Sequence, residues 1–261
     1  MRYWKGSIAL SPTQDYPLLR QVLQSTFITH RQLYELLKLD FHAHSRNAFN
    51  NRVLRLVRNQ YLVRDETPYR GDGYVYSISE KGVSELIGLG EYHTGPAARP
   101  KDGQLSKAVY HAIELNEIHL ALKRSQQLVH WMPETEIRSR NELTEYGYRK
   151  DYDALVTVRT DRGERKFALE YERTPKALRQ YVQICADIAA EGAVDSFLYL
   201  APNYDLLFFL VSCFATLRRP IYFGLAGDFL DKLFDMPLHG ATQRAMTTLR
   251  DVLRDGYGQS R

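Results

Sequence analysis

Cysteine is scarce in this chain: Cys185 and Cys213 are the two in 261 residues, set in separate apolar stretches without metal-ligand spacing. That is too few for a disulfide-stapled scaffold or a cysteine zinc site, and both thiols are expected to be buried and free in a reducing compartment. Long apolar runs are missing as well. The longest, residues 206–217, falls short of the roughly 20 residues that a bilayer-spanning helix needs. The first ten residues lack an apolar core, so no signal peptide is expected and the setting is read as cytoplasmic, with no membrane partner. A third absence is local. From Phe41 to Arg64 there is no Asp or Glu, while five arginines stand there.

The formal net charge of +4 becomes informative once it is divided. Residues 1–104 carry 14 Lys+Arg against 10 Asp+Glu, whereas residues 105–261 carry 21 of each. The surplus lies beside the acid-free stretch, an asymmetry expected of a binding module joined to a neutral domain. The chain is long enough for each part to bury a core of its own. Within the stretch, a helical period puts Phe49, Val53, Leu56, Val57 and Gln60 on one side. Asn47, Asn51, Arg52, Arg55, Arg58 and Asn59 fall on the other. An apolar stripe docks a helix onto a core, and Arg and Asn opposite it can pair with phosphates and hydrogen-bond base edges. An ordinary solvated basic face mixes Lys with Glu; this one has no acid.

The flanking residues extend the pattern. Residues 15–27 read as a helix with Leu18, Leu19, Val22 and Leu23 apolar, and Thr29 caps a second helix over 31–39. Ser45 caps the third, which runs to about residue 59. Two short helices, a turn and a basic helix follow the helix-turn-helix order. Residues 61–64 and 74–78 read as a hairpin whose polar tip, 65–73, holds Pro68, Gly71, Gly73 and Arg70. Ser79 opens a helix over 80–89, and its Ser-Glu-Lys-Gly phrase resembles that of bacterial winged-helix regulators. The expectation is a winged helix-turn-helix domain over 1–90 that binds double-stranded DNA as a homodimer. Ser45 starts the recognition helix, Asn47, Asn51, Arg52 and Arg55 face bases, and Arg46, Arg58 and Arg70 hold phosphates.

Residues 91–104, with two Pro and two Gly, read as a linker. Residues 105–127 return to helical periodicity, either packing on the second domain or bridging subunits. In that domain, 105–261, strands over 152–158 and 166–171 flank the turn signal Asp161-Arg162-Gly163. A hairpin closing near residue 162 sets Asp153 across from Glu170 or Tyr171. Strand alternation puts Glu170 and Glu172 on one face and Phe167, Leu169 and Tyr171 on the other. Three carboxylates converging at a hairpin end suit a hard cation such as Mg²⁺, as phosphodiester hydrolases use it. The plainer reading is a solvated outer face with salt bridges to Arg173 or Lys150. Helices over 176–190, 204–217 and 243–254 alternate with strands over 196–201 and 221–225, giving an α/β sandwich around a mixed sheet.

Asp153-Ala154-Leu155-Val156, the run Phe167-Ala168-Leu169-Glu170-Tyr171-Glu172-Arg173-Thr174 and Tyr181 resemble the replication-relaxation family of plasmids and other mobile elements. Trp131 and Glu134 upstream are similar to its pattern, and the resemblance spans about Tyr16 to Tyr222. It implies an N-terminal winged helix and a C-terminal domain related to PD-(D/E)XK nucleases. It also implies DNA binding linked to plasmid relaxation, replication or transcriptional control. Two departures stand out. Tyr152 replaces the Pro before the key Asp, and Glu172 occupies the place of the lysine in the Glu-x-Lys element. A nuclease lysine steadies the attacking water or developing negative charge, which a carboxylate cannot do. Lys176, one helical turn onward, could take the role, though Glu172 would pair with it. The first-helix acid of such nucleases could be Glu114 or Glu117.

The reading that follows is a sequence-specific DNA-binding protein with a degenerate nuclease-like domain and no cofactor. It would act as a transcriptional repressor or as an accessory factor in plasmid mobilisation or replication. The alternatives are a Mg²⁺-dependent endonuclease using Asp153, Glu170 and Glu172, and a docking or sensor module for a relaxase or a phage or defence protein.

Overall fold

The computed structural model describes residues 8–43, 45–66, 73–91, 104–240 and 247–255. They form a mixed α+β protein of two compact units, Met1–Leu120 and Ala121–Arg261. No helix among them is long and apolar enough to cross a membrane. The expected wing tip with Arg70, and most of the expected linker, lie outside the described residues.

In the first unit α1 (Asp15–Ser25) buries Leu18, Leu19, Val22 and Leu23. It ends two residues earlier than expected, at Thr26 with φ 58°, and the chain enters β1 (Ile28–Thr29). Thr29 then opens α2 (His30–Leu39) with a reciprocal capping box: its hydroxyl accepts from the Gln32 N–H and the Gln32 side chain accepts from the Thr29 N–H. Ser45 caps α3 (Arg46–Arg58), accepting from the Ala48 N–H at 3.4 Å. Two strands, β2 (Leu62–Glu66) and β3 (Tyr74–Ile78), pair antiparallel, and β1 adds to the other edge of β3, so the sheet order is β1-β3-β2. Ser79 caps α4 (Glu80–Gly88). Gly82 is forced by close approach: a Cβ there would lie 2.5 Å from the Tyr61 carbonyl oxygen. Phe49, Val53 and Leu56 of α3 are sealed into the common core, each worth roughly 1.5–3 kcal/mol of burial.

The helix α5 (Gln104–Arg124) moves the expected boundary. Ala112 and Ile113 pack with Phe27 and Val75 of the first unit. Asn116 donates to the Phe27 carbonyl at 2.9 Å, and Gln32 donates to the Ile113 carbonyl at 2.8 Å. Arg31 and Gln32 hold Glu117. The division therefore falls at Leu120, inside this helix, and not in residues 91–104.

The second unit runs β4 (Leu128–Pro133), α6 (Glu134–Leu143), β5 (Ala154–Thr160), β6 (Gly163–Tyr171), α7 (Leu178–Ala190), β7 (Phe197–Ala201), α8 (Tyr204–Cys213) and β8 (Ile221–Leu225). α9 (Ala226–Lys232), β9 (Pro237–Gly240), β10 (Thr247–Thr248) and α10 (Leu249–Asp255) complete it. The seven-stranded mixed sheet has the order β10-β9-β8-β7-β6-β5-β4. β4, β5 and β6 meander antiparallel, while β6, β7 and β8 are parallel, joined through α7 and α8. Gly163, at φ 106°, closes the β5–β6 hairpin, where an L side chain would be strained. On one sheet face Leu155, Ala168, Phe197, Tyr199, Ile221 and Phe223 form a core with Tyr181, Ile184 and Ile188 of α7 and Leu207 and Leu210 of α8. Cys185 and Cys213 are free but only half-buried beside it, with the Cys185 thiol directed at the Cys213 carbonyl.

Candidate nucleic-acid interface and buried carboxylate cluster

With Phe49, Val53 and Leu56 inward, α3 turns a continuous stripe outward: Ser45, Arg46, Asn47, Asn50, Asn51, Leu54 and Arg58 are all exposed. None is acidic. Gln60, expected on the apolar side, lies past the helix end, exposed and at φ 62°. The stripe includes two residues that the periodic reading left out. Asn50 and Leu54 stand three and seven positions after Asn47, which is the signal that would have found them.

The residues behind the stripe fix it. His30 bridges three elements: one ring nitrogen meets the Tyr76 hydroxyl at 3.1 Å, the other the Asn50 carboxamide oxygen at 2.9 Å. With Nε2 carrying the proton, Asn50 accepts and its NH₂ group points away as a donor. Burial, and secondarily the charge of Arg46, lower the His30 pKa against the opposing effect of the Asn50 bond, which suits this neutral form. Phe49 packs against the His30 and Tyr34 rings, and Arg46 lies over Tyr34 at 4.4 Å.

Two arginines expected to face bases are committed elsewhere. Arg55 donates to the Asp15 carboxylate at 2.5 Å and to the Ala9 carbonyl at 3.5 Å. Arg52 lies 3.6 Å from the other Asp15 oxygen and donates to the Gln14 side chain. Asp15 is completely buried, and its charge is met by these two guanidinium groups and by the Ser11 N–H at 2.7 Å. Asn59 also turns inward, bonding the Arg55 carbonyl as the helix ends. Arg46, Asn47, Asn51 and Arg58 remain outward, with Ser45 at the cap.

In the second unit every pair across the β5–β6 hairpin sums to the same register, Ala154 opposite Leu169. One step on, Asp153 faces Glu170 rather than Tyr171. Glu170 and Glu172 continue the alternation of Ala168 toward the helix-covered face, where they are 4% and 5% exposed. The solvated outer face considered for them is thus overturned, because α7 and α8 cover that side. Lys150 pairs with Glu170, and Lys176 pairs with Glu172. Asp153 accepts from the Tyr171 N–H at 2.6 Å, while its carbonyl accepts from the Glu134 N–H at 3.2 Å.

Burial raises the Glu170 carboxyl to about 7; the Lys150 charge opposes this and Asp153 adds to it. Tyr199, opposite Glu170 on β7, is buried with its hydroxyl unbonded among the described residues. Its pKa is driven well up by burial and then by the two glutamates. Tyr181 is raised to about 12, chiefly by burial. No group of three or more His, Cys, Asp or Glu side chains is arranged to hold a metal among the described residues. Asp153, Glu170 and Glu172 lie near enough to act together on the Tyr199 hydroxyl, while each glutamate also has an ammonium partner and one Asp153 oxygen holds a backbone N–H. Of the two candidate first-helix acids, Glu117 is held by Arg31 and Gln32 of α2.

No family model, no curated protein and no solved structure matches the chain.

Proposed function

We propose that this chain is a double-stranded DNA-binding protein of the replication-relaxation type, acting as a transcriptional regulator or as an accessory factor of a mobile element. The observation that carries this reading is the acid-free outer stripe of α3. Three rigidly packed apolar residues aim that stripe outward, so polar and cationic groups meet a partner together. Support comes from the order α1-β1-α2-α3-β2-β3 with the sheet order β1-β3-β2, which suits a winged helix-turn-helix. Arg46 and Arg58 hold phosphates, and the asparagines between them meet base edges. A homodimer on paired half-sites accounts for site recognition by so short a stripe.

Fluorescence anisotropy with labelled duplexes tests this. Affinity should fall steeply with added salt, because phosphate contacts release counterions. The double substitution Arg46→Ala, Arg58→Ala should weaken all duplexes alike and flatten the salt slope. Salt-insensitive binding, or binding equal to that of the parent, would retire the proposal. Light scattering at micromolar concentration, with and without DNA, tests the homodimer; a monomer in both conditions counts against it.

The second unit is read as a PD-(D/E)XK-like scaffold that does not cleave DNA. The contiguous order from β4 to β8, with β5 antiparallel to its neighbours, is consistent with that scaffold. The pairing of Lys176 with Glu172 leaves neither free to serve an attacking water. Supercoiled plasmid should stay intact with Mg²⁺ or Mn²⁺; nicking lost in Asp153→Asn would promote the endonuclease reading instead.

A further inference from the structure

Building on the reading of α3 as a DNA-contact helix, we infer that its outer face selects A·T base pairs over G·C. The commonest specific contact to guanine is an arginine fork on O6 and N7. The two arginines best placed along the helix for that contact, Arg52 and Arg55, are drawn back by Asp15, Gln14 and the Ala9 carbonyl. Arg46 is stacked on Tyr34 at the helix start, and Arg58 stands at the helix end. What remains at the middle of the stripe is Asn47, Asn50, Asn51 and Leu54.

These side chains match the A·T pattern. A carboxamide both donates to adenine N7 and accepts from its N6 amino group, and an apolar side chain covers the thymine methyl. Among the described residues nothing bonds the carboxamides of Asn47 and Asn51, so both ends of each are available. Asn50 has its oxygen held by His30 and offers only donors, which suit adenine N7 or thymine O4. Leu54 is 37% exposed, although a leucine on a polar stripe would otherwise be placed inward. The seven residue steps from Asn47 to Leu54 span about 10 Å of helix, or roughly three base-pair steps. The expected core is therefore three or four A·T pairs, flanked by phosphates held by Arg46 and Arg58.

Selection from a pool of randomised duplexes, followed by anisotropy on the winners, tests this. An enriched A·T core is expected. Asn51→Ala should relax the selected core, costing about 5- to 150-fold on its best duplex with little change on a scrambled one. Replacing the core thymines with uracil removes their methyl groups and should weaken the parent about fourfold, but leave Leu54→Ala unaffected. Arg52→Ala should keep the same core. An enriched G·C core, or no preference with salt-dependent binding intact, overturns this inference alone. Failure to bind any duplex overturns the DNA-binding reading and this inference with it.

Discussion

Asp15 at the start of α1 and Arg55 near the end of α3 are joined by a 2.5 Å ion pair, and the aspartate is completely buried. The pair ties the start of α1 to the basic helix, and Arg52 also approaches Asp15. It sets which cations of α3 are available to a partner, by drawing two of them back toward α1.

Removing the acid should therefore cost stability rather than binding. Asp15→Ala leaves Arg52, only 13% exposed, without its counter-charge. Breaking a buried pair from one side costs about 3–5 kcal/mol, and the greater exposure of Arg55 trims this to about 2–3 kcal/mol. Urea denaturation measures the loss. DNA affinity should hold or rise, and a large fall in affinity at unchanged stability would show that the pair serves the interface directly.

Gly82→Ala should destabilise the first unit by about 1–3 kcal/mol. The added methyl would sit 2.5 Å from the Tyr61 oxygen and 2.7 Å from an Ile78 side-chain carbon. One of these contacts is backbone, so relief requires shifting α4 against the chain that leads into β2. An unchanged thermal midpoint would mean that α4 is free to move there.

The first unit should weaken under mild acid. The folded pKa of His30 lies below its ordinary value of 6.5, because burial disfavours the charged form. The unfolded chain therefore takes up the proton first. Stability from this group is full above 6.5 and declines as pH falls toward the folded pKa. Denaturant midpoints measured from about pH 8 down to about pH 5 should fall in the parent and stay flatter in His30→Gln. Identical slopes would contradict the neutral bridge to Asn50.

Glu170 works in the opposite sense. Its folded pKa, about 7, lies above the ordinary 4.5, so the folded state holds the proton more tightly. Its contribution is complete below 4.5 and is lost as pH rises through about 7. Glu170→Gln mimics the protonated form and should remove the decline between about pH 5 and about pH 8. If that decline persists in the variant, another group is responsible for it.

Local chemistry was legible where it acts over a few residues. The caps at Thr29, Ser45 and Ser79 stand where their side chains predict. The Asp161-Arg162-Gly163 signal closes a hairpin in one of the two registers expected from it. Other elements left no such mark. β1 has two residues and exists only because β3 offers it an edge. β4, with its register shift between Leu128 and His130, lacks the clean alternation that announces a strand. α6 carries too few apolar residues for a helical stripe to stand out. The end of the first unit was misplaced because α5 is one unbroken helix. Its affiliation is set by Phe27, Gln32 and Val75, far away in sequence.

The sequence by itself determined the acid-free helix, its apolar face and the choice of Glu170 or Tyr171 opposite Asp153, because helical and strand periods are properties of neighbouring residues. The tertiary structure decided how those residues are used. Asp15, 40 positions from Arg55, turns the arginines expected at bases into anchors. Lys150 and Lys176 pair with the glutamates as their spacing suggested, but it is the cover of α7 and α8 that buries those pairs. In both places the outcome depends on what distant packing brings alongside, and no local pattern encodes that.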